Sequence, residues 1–201
     1  MLSYRAPLED YSFILNYWLG APDDWLAVPQ FSSLDAAAAG QMLEQAARFA
    51  TDVLLPLDAS GDVQGCLFEA GQVYTPPRYR EAYRAFIDAG WPALACAPDA
   101  GGLGLPQTPN AALNEMLSAG SHAWTMCPGL AHGAFECLRA HGRPELRQAY
   151  LPKIVSGEWL ATMCLTEPAS GSDEPRTAQR SFGGSAECSV ENEANFASGG
   201  A

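Results

Sequence analysis

Apolar residues recur along most of the chain at a spacing of about 3.6 residues, which predicts a mainly helical protein. Tyr11 to Leu19 is an aromatic and aliphatic run closed by Gly20 and Pro22, predicting a short helix over about 10–19. Ser32 or Ser33 offers a capping oxygen for a second helix running to about Leu55. Met42, Ala46, Phe49 and Val53 share one of its faces, and Pro56 is expected to stop it. Residues 56–74, broken by Gly and Asp, read as a long loop with a small hairpin around Cys66 to Phe68. Pro77 then suits a first helical turn, with Tyr79, Tyr83, Phe86 and Ile87 on one face and Gly90 just past the end. A Pro- and Gly-rich loop over 91–109 leads to helices expected at about 110–120, 129–141 and 144–151, the last followed by Pro152.

Strand-like alternation is missing before residue 158. Leu160 to Leu165 is a short apolar run of the kind that forms a buried strand, bounded by turn formers over 166–173. Beyond Asp173 the large apolar side chains are Phe182, Val190 and Phe196, too few to build a core of their own. No internal repeat recurs at solenoid spacing. The pattern therefore predicts several packed, mostly buried helices followed by a segment of different texture.

Charge narrows the partners. With 23 acidic against 11 basic side chains, a net charge of -12 argues against nucleic acid, whose phosphates need Lys and Arg. Lys153 is the single lysine, so lysine chemistry has one candidate. The six cysteines (Cys66, Cys96, Cys127, Cys137, Cys164 and Cys188) are widely spaced, without a Cys-x-x-Cys pair. Acidic Glu9 and Asp10, rather than a basic leader, precede the first apolar stretch, and no run is long enough to span a bilayer. A reduced, cytoplasmic chain with buried thiols is expected. His122, Cys127, His132 and Cys137 invite a metal reading, but intervals of five residues do not stack side chains on one helical face. They are read as packing residues, with no metal expected, and the Tyr79, Tyr83 and Phe86 face is likewise read as core.

The most informative string is Met163-Cys164-Leu165-Thr166-Glu167-Pro168-Ala169-Ser170-Gly171-Ser172-Asp173. A strand entering a turn rich in Gly, Ser and Thr presents backbone N–H groups and hydroxyls that can bond a flat heteroaromatic ring or a phosphate. Pro168 holds Glu167 extended, and Gly171 permits close approach of the backbone to a ligand. Glu167 is read as structural.

This string resembles the C-x-T-E-P-x-x-G-S-D signature of the acyl-CoA dehydrogenase family. Tyr150-Leu151-Pro152-Lys153-Ile154 and Ser156-Gly157-Glu158 are similar to the family's preceding segment, and Gly90-Trp91-Pro92 and Gly101 to Pro106 to its interhelical loop. Asn114-Glu115-Met116, Pro128-Gly129-Leu130, Gly133-Ala134 and the opening Tyr4-Arg5-Ala6-Pro7-Leu8 resemble the methylthiopropanoyl-CoA dehydrogenase-like branch. Together these strings run in order over residues 1–173.

The resemblance implies FAD as cofactor and α,β-dehydrogenation of an acyl-CoA thioester, with electron-transferring flavoprotein as acceptor and a homo-oligomer when complete. It implies flavin contacts from Met163, Cys164, Leu165, Thr166, Gly171 and Ser172, and from Phe196 and Ser198 in a second aromatic-x-Ser string. Ser172 also stands by the acyl-CoA, and Met116, Trp124 and Met126 wall the acyl pocket. The implied organisation is an N-terminal extension (1–32), a helical domain (33–158) and a partial middle β-barrel domain (159–201). The family's glutamate base lies in a C-terminal helical domain, so no catalytic residue is expected in this chain. The barrel pattern thins after Asp173, where Glu191 to Asn195 replaces the usual Gly-x-Lys entry. The expectation is a truncated or shifted reading of a longer gene, inactive alone. Its alternative is a non-catalytic helical interaction module derived from the same scaffold, using apolar surface left uncovered.

Overall fold

The computed structural model describes residues 3–163 and 188–192. Helix α1 (Leu8–Phe13) carries Glu9 and Asp10 in its first turn, where the helix dipole favours negative charge. It runs without a break into a wider π turn, Ile14–Trp18, where the Leu19 N–H donates to Ile14 O at 2.9 Å. Gly20, at φ +59°, turns the chain directly into α2 (Ala21–Ala27). Pro22 therefore stands in the first turn of a helix that the pattern did not predict, where a missing N–H costs no intrahelical bond.

The cap of the next helix is neither Ser32 nor Ser33. The Asp35 carboxylate accepts from the Ala38 N–H at 2.7 Å and opens α3 (Ala36–Arg48). A second π turn, Phe49–Leu54, joins α3 to α4 (Leu55–Gln64). Pro56 does not stop the chain, because the widened turn resets the bonding just ahead of it: the Leu55 N–H reaches back to Ala50 O. Much of the expected 56–74 loop is thus helix. Its hairpin is real and slightly later, pairing β1 (Leu67–Glu69) with β2 (Gln72–Tyr74) across a two-residue turn at Ala70 and Gly71, both at positive φ.

Helix α5 (Tyr79–Asp88) buries Tyr79, Ala82, Tyr83 and Phe86 on one face, as its spacing predicts. The expected helices at 110–120 and 129–141 belong to one long element, α6 (Gln107–His141), interrupted at a single residue, Ser121. The break is extended backbone, φ −162° and ψ 100°, and helix resumes at once through Pro128. Helix α7 (Pro144–Val155) likewise continues through Pro152. Strand β3 (Trp159–Met163) pairs antiparallel with β4 (Cys188–Asn192), Trp159 opposite Asn192 and Met163 opposite Cys188.

Helix α6 is the spine. Helices α3 and α4 with the turn between them pack on it, as do α7 and β3. Gly120 makes the closest approach: a Cβ there would lie 2.8 Å from Ala50 O and 3.2 Å from Leu54 Cβ. Leu54, Leu57, Leu113, Met116 and Leu117 fill the main core. Phe49, Phe86 and Trp124 form an aromatic knot within it, with Phe86 edge-on to Trp124 at 5.5 Å. A second core gathers Phe135, Leu138, Leu151, Ile154 and Val155 between α6 and α7. The fold is mainly α, and among the described residues no helix is long and apolar enough to cross a membrane.

Candidate functional site

The break at Ser121 folds α6 back on itself. In a straight helix Gln107 and His132 would stand about 37 Å apart at 1.5 Å per residue. Here Gln107 Nε2 lies 3.2 Å from His132 Nε2. Asn110, Leu113 and Asn114 from the first half therefore face Pro128, Gly129, His132 and Gly133 from the second across a cleft of about 170 Å³.

The walls below are apolar. Tyr83 and Phe86 come from α5, Trp91 and Cys96 from the loop after it, Ile154 from α7 and Leu160 from β3. Tyr83 is fixed by its hydroxyl, which donates to Gly157 O at 2.9 Å. The loop is tied to itself, with Gly104 N–H donating to Cys96 O at 2.8 Å and Leu105 N–H to Leu94 O at 2.9 Å. Gly102 has to be glycine, since a Cβ would collide with Cys96 O.

A polar chain crosses one side of the cleft. Gln107 Nε2 donates to His132 Nε2, which leaves the ring proton on Nδ1, 3.9 Å from Cys96 Sγ. The Cys96 thiol donates to Pro92 O at 3.4 Å. Burial, and secondarily the Glu136 carboxylate, push its pKa up to about 11, so Cys96 is a packed thiol rather than a nucleophile. Asn110 Nδ2 bonds Gln107 Oε1 and Asn114 Nδ2 bonds Asn110 O, completing a row of amides at the mouth.

The acyl-pocket residues that the resemblance implied fall elsewhere. Met116 is fully buried in the main core, and Trp124 is buried with its indole N–H donating to Tyr79 O at 3.2 Å. Met126 faces outward, 53% exposed. None of the three lines the cleft. Met163 ends β3, and its side chain lies outside the described set. Cys164, Leu165, Thr166, Gly171, Ser172, Phe196 and Ser198 lie outside the described residues altogether. His122 and Cys137 are exposed and Cys127 half-buried, while His132 turns to Cys96 and Gln107. Among the described residues no three metal-type side chains gather, and Cys66, Cys96 and Cys137 are free thiols.

The sequence reading missed Asn110, Asn114 and His132 as neighbours. Asn110 and Asn114 are four apart and visibly share a helix face. Nothing local announces the fold-back that brings them to His132. A cleft of about 170 Å³ lies below the ~300 Å³ where ordinary small-molecule pockets begin. It does not fit a flavin dinucleotide; it fits a chain of a few carbon atoms.

Comparison with known proteins gives the family. The family model described as the acyl-CoA dehydrogenase N-terminal domain matches residues 37–158. The chain is 34% identical over 175 residues to 3-methylmercaptopropionyl-CoA dehydrogenase of Ruegeria pomeroyi, covering 87% of this chain and 30% of that one. It is 30% identical over 188 residues to a butyryl-CoA dehydrogenase of Syntrophomonas wolfei, covering 90% and 30%. A broad-specificity linear acyl-CoA dehydrogenase of Mycobacterium tuberculosis is 28% identical over 176 residues, covering 86% and 28%. The chain thus spans about 30% of the length of the curated relatives it matches. The helical architecture around α6 and the match over residues 37–158 agree, and the chain belongs to the acyl-CoA dehydrogenase family.

Proposed function

We propose that this chain is the N-terminal part of an FAD-dependent acyl-CoA dehydrogenase that removes hydrogen from Cα and Cβ of an acyl thioester. The family match over residues 37–158 carries the reading. When bound, the flavin supplies the acceptor for the β-hydrogen, held by the segment from Met163 through Thr166, Gly171 and Ser172 and by Phe196 and Ser198. The described residues do not themselves make a flavin pocket, so no step is assigned to them through that group.

This chain's own contribution is binding and exclusion of water. The cleft between the halves of α6 takes the end of a short acyl chain against Phe86, Leu113 and Leu160, while the amide row keeps its mouth polar. Met116 and Trp124 stiffen the wall from behind, and Met126 meets the acyl-CoA or another domain on the outer face. No residue of this chain is assigned to take the α-proton, and the chain alone is inactive. In the same reading, electrons leave to an electron-transferring flavoprotein, and the complete protein is a cytoplasmic homo-oligomer.

Titration calorimetry of the chain with butyryl-CoA against free coenzyme A tests the cleft. Tighter binding of the thioester is expected, and Gly133→Leu, which places a side chain where no neighbour stands within 4 Å, should abolish the difference. Equal binding of the two ligands by the unaltered chain would sink the acyl-site reading. Turnover of butyryl-CoA by the pure chain with FAD and an artificial electron acceptor would overturn the assignment of the base to another domain.

A further inference from the structure

The helix running from Leu8 to Trp18 is apolar on two opposite sides. Tyr11 and Leu15 are buried against the domain, and the Tyr11 hydroxyl hydrogen-bonds the Glu115 carboxylate of α6. Phe13, Ile14, Tyr17 and Trp18 emerge on the other side, with Tyr17 78% and Trp18 77% exposed. Their spacing is that of one helix face, and the Phe13 and Tyr17 rings stack at 6.0 Å. A helix with a second apolar side, turned away from its own core, leaves that side to be covered by something else. The buried side anchors this one firmly, so the aromatic side cannot swing inward to be covered by its own domain. Contiguous aromatic surface of this kind is where binding energy concentrates in protein interfaces.

Charge around the patch selects the occupant. Glu9, Asp10, Asp23 and Asp24 are all exposed along α1 and α2, and Arg5 is the only basic residue before Arg48. A second copy would bring its own four carboxylates to the same rim, on a chain of net charge -12. An anionic bilayer is repelled in the same way. A single convex helix face pairs best with another helix laid alongside it, ridges into grooves. We propose that this face docks an amphipathic helix of a partner protein whose apolar stripe is flanked by lysine or arginine.

A fluorescein-labelled model peptide with leucines on one helical face and lysines on its borders is the probe, read by fluorescence anisotropy against the full chain. Saturable binding is expected. Replacing both Tyr17 and Trp18 by serine, which leaves the charge unchanged, should weaken it about tenfold or more. Asp23→Lys with Asp24→Lys should weaken it comparably and flatten its salt dependence. Circular dichroism establishes that each variant is folded, and the charge variant stands alone should the serine variant unfold. Binding indifferent to both substitutions overturns the proposal. So does a concentration-dependent dimer abolished by the serine variant, which would make a second copy the occupant. Binding to phosphatidylcholine/phosphatidylglycerol vesicles that requires Tyr17 and Trp18 overturns it in favour of a lipid surface.

Discussion

Two glycines in α6 should respond to alanine with opposite signs. At Gly120 the added Cβ would stand 2.8 Å from Ala50 O and 3.3 Å from Ala50 C, with Leu54 Cβ at 3.2 Å. Ala50 lies in the π turn, and its oxygen already accepts the Leu55 N–H, so the obstacle is bonded backbone rather than a flexible side-chain tip. Overpacking of this kind costs about 1–3 kcal/mol. Alanine's helix propensity returns at most about 1 kcal/mol, and less beside the break at Ser121. Gly120→Ala should therefore lose about 1–2 kcal/mol of stability. At Gly129, also helical, no atom stands within 4 Å of the added Cβ. There only propensity and the stiffened unfolded chain act, and Gly129→Ala should gain about 0.5–1 kcal/mol. Urea unfolding of both variants and the parent chain measures the difference, and thermal midpoints of the two variants should separate by roughly 3–12 °C. A Gly120→Ala protein as stable as the parent would refute the close packing of α6 on the π turn. Shifts in the same direction for both variants would refute the whole comparison.

Stability should fall as pH rises from about 9 towards about 11, because the folded state keeps the Cys96 thiol protonated where the unfolded chain ionises it. Cys96→Ala should remove that part of the alkaline slope in unfolding experiments at fixed urea, whatever it costs in packing. Phe135→Ala, which empties a fully buried site beside His132, should cost about 3–5 kcal/mol in the same assay. Lys153→Ala breaks an ion pair to Glu158 at 2.9 Å and removes a cation 4.3 Å above the Trp159 ring. Because both charged partners are partly exposed, that loss should stay below about 1 kcal/mol and shrink in high salt.

What the sequence made visible was what is encoded locally. The face of α5 follows from the spacing of Tyr79, Tyr83 and Phe86, and the hairpin expected around Cys66 to Phe68 is present, with its turn slightly later at Ala70-Gly71. Proline misled twice. Pro56 follows a widened turn, and Pro152 precedes a last turn in which the Ser156 N–H still bonds Pro152 O. Each removes one donor, and packing on α6 or α7 outweighs that loss. The Ser32 and Ser33 caps failed because Asp35, three residues ahead of Ala38, was better placed to reach its N–H. The family was legible because its motifs are contiguous strings. The cleft was not, because it joins residues around Gln107 to residues around His132 through a bend no residue type announces.

That bend has a consequence for how the domain assembles. Ser121 is neither glycine nor proline, and its extended φ is open to any residue, so the peptide 107–141 carries no instruction to fold in half. Left alone as a continuous helix it would be about 52 Å long. The instruction comes from outside, from the Phe49–Leu54 turn seated against Gly120 and the aromatic knot that holds Trp124. The fold-back therefore depends on α3 and α4 being docked, and the cleft is held only while those helices stay in place.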